Sequence, residues 1–264
     1  MIRHILIISI LLGATNYANS QPTGVKYNIG PKAGFNIYKS RFQFSEDEQV
    51  FDQKMKLGFQ VGGTFDMPLK EMIHFAAELY YSHKGKKTFI TDAGLTNDAT
   101  YHFIEAPILL RFTFIGGKVS SGTMKWHMDI GPSISYWLGG KGNLYADGPT
   151  VDYKIVFSEP PPNNSEFDKM YISNANRWQW GLVAGLGINY PIYKGQVVFV
   201  DLRAGFGGTN LGKHDSEASI PILGFSDSMD VRFLEFAISA AYTFEIDWVK
   251  RFKGKSTVKD RKKS

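Results

Sequence analysis

Charged side chains set among glycines and serines mark the chemistry this sequence could perform. Glu78, Glu105, Asp129, Asp201 and Glu235 could serve as acids or bases. Lys32, Arg111 and Arg203 could stabilise an anion or simply pair with those carboxylates. All eight fall on the polar phase of segments that alternate polar and apolar residues, so they are read as one structural charge cluster inside a barrel. Counting up from the short turns places most of them at similar mid-barrel heights. His214-Asp215-Ser216 supplies the residue types of a hydrolase, but neighbours in one loop do not bring nucleophile, base and orienter within hydrogen-bond reach. His74, His83 and His127 show no metal-ligand spacing on one strand face, and His102 points to the apolar side. The reading is therefore a non-enzymatic protein with no catalytic, cofactor-binding or metal-ligating residue.

The elements that must position these groups are strands. From Arg232 to Ile246 the even positions Leu234, Phe236, Ile238, Ala240, Tyr242, Phe244 and Ile246 are apolar, and the odd positions are small or polar. A strict period of two is a strand with one apolar and one polar face. Soluble strands run to about 5–6 residues, whereas a tilted strand crossing a bilayer needs about 9–11. The pattern recurs over 27–38, 55–67, 72–84, 100–114, 123–137, from Trp178 to Asn189 and from Val198 to Phe206. The expected fold is all-β: an eight-stranded antiparallel up-and-down transmembrane β-barrel over 21–248. A soluble barrel of lipocalin type would put the bulky residues inside. Here the polar set is rich in glycine and serine, which suits a narrow interior, and the apolar set is continuous and bulky.

Residues 1–20 read as a secretory signal peptide, with an apolar run from Ile5 to Leu12 and a small-x-small cleavage site at Ala18-Asn19-Ser20. There are no cysteines, which excludes disulfides and thiolate metal sites. Residues 249–264 form a basic tail, with eight Lys/Arg against Asp260, so the basic pI describes a tail and not a nucleic-acid-binding surface.

Short turns at 68–70, 116–122 and 191–195 alternate with long connections at 39–54, 85–99, 138–176 and 208–228. Outer-membrane barrels keep short turns in the periplasm and long loops outside, which predicts an outer-membrane protein with both termini periplasmic. Trp126, Trp178, Trp180, Tyr190, Tyr193, Tyr242 and Phe244 fall near strand ends, where aromatic girdles belong. Side chains fill an eight-stranded barrel, so a solute pore is not expected, and a narrow ion path is the competing use of the inner charges. The partners expected are outer-membrane lipid and a protein reached through the loop 138–176 or the tail 250–264. An accessory subunit of a secretion or assembly machine is the alternative role.

Several phrases resemble one family. Gly30-Pro31-Lys32-Ala33-Gly34-Phe35-Asn36 resembles the G-x-K-x-G-x-N opening of the PorT-like outer-membrane barrels of Bacteroidota. Glu78 to Gly85 is similar to their E-x-x-Y-S-x-K-G strand, Ile104 to Arg111 to L-E-I-P-L-L-L-K, and Gly131 to Leu138 to a following G-x-x-x-x-x-x-L segment. The resemblance implies an eight-stranded outer-membrane barrel, and its named member belongs to the type IX secretion and gliding apparatus. The long 138–176 loop and the basic extension depart from that member. Asp227-Ser228-Met229 also resembles the D-S/T-hydrophobic O-glycosylation motif of that phylum.

Overall fold

The computed structural model describes residues 26–42, 51–90, 95–145, 150–161, 166, 168–193, 195–213 and 216–247. Thirteen strands follow one another: β1 (Lys26–Phe42), β2 (Phe51–Lys54), β3 (Lys56–Pro68), β4 (Ile73–Ile90), β5 (Leu95–Val119), β6 (Gly122–Tyr145), β7 (Val151–Val156), β8 (Lys169–Ile172), β9 (Trp178–Tyr193), β10 (Gln196–Gly207), β11 (Glu217–Ile220), β12 (Phe225–Ser228) and β13 (Val231–Asp247). A 3-10 turn at Pro221–Leu223 joins β11 to β12.

Eight of these close a cylinder. Around it run β1, β3, β4, β5, β6, β9, β10 and β13, and β13 returns to β1 in antiparallel register from Lys26↔Asp247 to Phe42↔Val231. The closure removes the unpaired sheet edge that an open sheet would expose. The staves coincide with the eight alternating segments of the sequence. Their apolar phase faces outward, as with Phe35, Leu57 and Trp178 at 71%, 74% and 65% exposure. Their polar phase is buried inside, including Lys32, Glu78, Arg111, Asp129 and Asp201. An apolar outside over a charged inside inverts the order of a water-soluble protein and is stable only where lipid surrounds the wall.

The expected strand count needs correction, because five further short strands occupy what reads as loop. The connection at 85–99 is largely a continuation of the hairpin: β4 runs on to Ile90 and β5 begins at Leu95. β2 pairs with the end of β4, β7 with the end of β6, β8 lies parallel to β7, and β11 and β12 form a hairpin beside β8. These segments are four to six residues long and mostly polar on their outer side, so period-two apolar signal is missing from them. Their pairing is borrowed from longer neighbours. The short connections are tight, and Gly195, with φ of 75°, supplies the left-handed residue between β9 and β10. Residues 1–20 and 249–264, read as signal peptide and tail, lie outside the described residues, as do His214 and Asp215.

Candidate functional site

The polar phase of the staves meets inside the barrel as a continuous ion-pair network. Lys32 of β1 donates to Glu78 Oε1 at 2.9 Å and to Asp201 Oδ2 at 2.6 Å. Arg203 of β10 donates to both Glu78 oxygens at 2.6 and 2.9 Å and to Asp129 Oδ2 at 2.8 Å. Arg111 of β5 holds Asp129 through two bonds of 2.8 and 3.0 Å and reaches Asp66 at 3.1 Å. These are planar, bidentate arginine–carboxylate contacts, the geometry in which a buried ion pair recovers most of its desolvation cost. Six of the eight expected residues are thus brought together.

Glu105 and Glu235 stand apart, toward the end bearing the long loops. Lys84 donates to Glu105 Oε2 at 2.9 Å, Ser82 donates to Glu105 Oε1, and Asn36 Nδ2 donates to Glu235 Oε1 at 2.7 Å. A common height for the cluster is therefore corrected to two levels. Tilted staves in a closed barrel are staggered against one another, so equal counts from the turns do not give equal heights.

Members that residue counting passed over complete both levels. Asp66, which also accepts from Arg111, lies 2.9 Å from His74 Nδ1, and His127 Nε2 lies 2.7 Å from Asp201 Oδ1. Asp66 and Lys84 both sit on the inward phase of their strands, a signal the sequence carries. The glycines of β9 make this packing possible. A Cβ on Gly187 would stand 2.4 Å from the His127 ring, and one on Gly185 would stand 2.7 Å from Arg203 Cγ.

The histidines are not all scattered, which corrects the expectation for His127. His127, Asp129 and Asp201 converge, with ligand-type atoms within 4.8 Å of one another. The carboxylate oxygens of this trio already accept from Arg111, Arg203 and Lys32, so the donor set is committed to protein cations. His83 and His102 stack on the outer wall, ring centroids 4.9 Å apart, and Tyr81 bonds His102 Nδ1.

Above Glu105 the lumen turns aromatic. The Lys84 ammonium lies 4.9 Å from the Phe103 ring centroid and within 5.8 Å of those of Tyr38 and Phe233. Trp137, fully buried, stacks on Phe103 and meets Tyr101 and Phe157 edge-on. Met170 and Ile172 of β8, Ile220 of β11 and Phe225 of β12 fold over them, joined by Leu211 and Met229. Within this cap Lys86 and Asp227 form an ion pair at 2.8 Å with both side chains fully buried, and Asn97 donates to Asp227 at 3.1 Å. Burial, with Asp227 nearby, pushes the Tyr153 phenol well above its ordinary range. Asp227 and Met229 are thus interior groups, while Ser228 between them stays partly exposed.

A closed antiparallel cylinder, apolar outside and ion-paired inside, is a transmembrane β-barrel. The chain belongs to the outer membrane protein beta-barrel domain family, whose profile matches residues 17–211, and it is an outer-membrane protein in contact with lipid. No curated protein matches it in sequence. Among solved structures it is similar to OprG of Pseudomonas aeruginosa, at 12% identity and TM-score 0.49, covering 85% of this chain and 97% of that one. It is also similar to the Neisserial surface protein NspA, at 12% identity and TM-score 0.38, covering 83% and 97%. Ail of Yersinia pestis aligns at 12% identity and TM-score 0.34, covering 84% and 100%.

Proposed function

We propose that this protein is a non-enzymatic, non-conducting outer-membrane barrel that presents a folded cap to the outside as an interaction surface. The observation that carries the reading is the filling of the interior at every level. Permanent ion pairs occupy the lower lumen, Lys84 with Glu105 the next level, and the Trp137 cluster the mouth. A solute path would have to break buried ion pairs, each of which leaves an unpaired charge costing about 3–5 kcal/mol. The cap is an unusual investment for a structural barrel, because four short strands are added to the staves only to build it. Strands of this kind give a rigid surface on which a partner can be recognised.

In this reading the short turns and both termini face the periplasm, residues 1–20 are the export signal and residues 249–264 a basic periplasmic tail. The resemblance of Gly30–Asn36 and Ile104–Arg111 to PorT-like barrels supports a place among them. The chain has no cysteine, so single cysteines at Asn143 in the cap and Lys70 in a short turn can be labelled on intact cells with a membrane-impermeant maleimide. Labelling of Asn143→Cys alone is expected, and labelling of Lys70→Cys alone would invert the topology. Crosslinking and affinity purification from native membrane then separates the roles. A stoichiometric partner lost on deletion within 146–168 supports the interaction surface, and a large multi-protein assembly would make the chain a machine subunit.

A further inference from the structure

The outer wall carries a second charge pattern that the lumen network does not use. Along β1 and β13 the apolar band ends at the facing pair Ile37↔Phe236. Two residues further toward the cap comes Lys39↔Leu234, and then Arg41 directly opposite Arg232. On the other side of the barrel the band passes Ile104↔Tyr136 on β5 and β6 and ends at the exposed Leu138. Beyond it Lys141 of β6 stands directly opposite Lys154 of β7. Arg41, Arg232, Lys141 and Lys154 are all exposed. Among the described residues none of the four has a carboxylate partner, and Arg232 donates only to the Asn210 amide at 2.7 Å.

Like charges directly opposite on neighbouring strands repel, and a sheet gains nothing by keeping them there. The acids nearest this pair are Asp98 and Asp152, in register with Asn143 one outward step beyond Lys141, and the exposed Asp168, which lines the same surface pocket as both lysines. Asp98 is already engaged by Lys56 and lies 3.7 Å from Lys87. Going up the wall, the apolar band gives way to a row of cations, with acids beyond and beside it. The aromatic belt directly below, with Tyr136 and Trp178 at 4.8 Å, fixes that cationic row at headgroup level.

The geometry points to a cationic collar that binds the anionic phosphate monoesters on lipids of the outer leaflet, not the choline-shielded diester of a zwitterionic phospholipid. A phosphate seated between Arg41 and Arg232, or between Lys141 and Lys154, turns a repulsive pair into two charge-assisted contacts. Two such clamps on opposite walls hold the barrel at one depth. The assignment to the outer leaflet rests on the proposed topology, but phosphate binding itself does not.

The test uses the full-length protein refolded into phosphatidylcholine vesicles alone, with diphosphoryl lipid A, or with the same glycolipid stripped of phosphate. Both leaflets then carry the lipid, so orientation does not enter, and a wrong topology shows only in the cysteine labelling. Thermal unfolding of the wild type is compared with that of Arg41→Gln/Arg232→Gln/Lys141→Gln/Lys154→Gln. Diphosphoryl lipid A is expected to raise the wild-type midpoint by several degrees, while the stripped glycolipid leaves it unchanged. In plain phosphatidylcholine the variant should equal or exceed the wild type, because repulsion is gone, and it should lose the increment from phosphate. An increment that survives in the variant, or that the stripped glycolipid reproduces, overturns the collar. So does a variant less stable than wild type in plain phosphatidylcholine, which would show that these cations serve the fold.

Discussion

The Arg203 guanidinium grips the Glu78 carboxylate through two hydrogen bonds, of 2.6 and 2.9 Å, straight across the lumen from β10 to β4. The two residues are 125 positions apart in sequence. Because Arg203 also bonds Asp129 and Asp201, it is the group on which the lower network converges.

Arg203→Met should therefore leave three buried carboxylates short of one cation and destabilise the barrel by about 3–5 kcal/mol. Urea unfolding in detergent micelles, followed by tryptophan fluorescence, reads this directly. An unchanged midpoint would mean that the network is not a stabilising unit.

Gly187→Val tests the packing that admits the network. Its Cβ would already crowd the His127 ring, so the imidazole must leave Asp201 or the strands must part. Overpacking of this kind costs about 1–3 kcal/mol. The same unfolding experiment should show a loss in that range, and no loss would indicate a looser lumen than described.

Much of this was legible in the sequence, for a reason the lumen makes plain. Lys32, Glu78, Arg111, Asp129, Asp201 and Arg203 sit on long staves whose period of two reports which face each residue takes. Pairing partners were not legible, because Lys32 meets Asp201 only through closure of the cylinder and the stagger of its strands. The cap was hidden for a different reason. Met170, Ile220 and Phe225 lie on four-residue strands, too short to show a period, and they become a core only when β8, β11 and β12 stack over Trp137.

The cap's own buried pair gives a sharper test than a single deletion. Lys86→Met should strand Asp227 and loosen the cap, whereas Lys86→Met combined with Asp227→Leu should recover most of the loss. Protease sensitivity of the loops in detergent reports the difference. Equal damage from the single and double variants would show that the two charges act independently.

Trp137→Ala should open the mouth without dissolving the barrel. Loss of a buried tryptophan costs about 3–5 kcal/mol, and its contacts to Tyr101, Phe103 and Phe157 lie at the cap. Amide exchange is expected to quicken in β7, β8, β11 and β12 and to stay slow in β1 and β13. Uniform quickening throughout would mean that cap and barrel unfold together.

Single-channel recording in a planar lipid bilayer tests the central claim, a barrel filled from end to end. The purified wild type should give no resolvable conductance steps, in a preparation shown to be folded by heat-modifiable gel mobility. Discrete steps from that same preparation, altered in size by Arg203→Met, would contradict the closed lumen and make the inner charges the lining of an ion path.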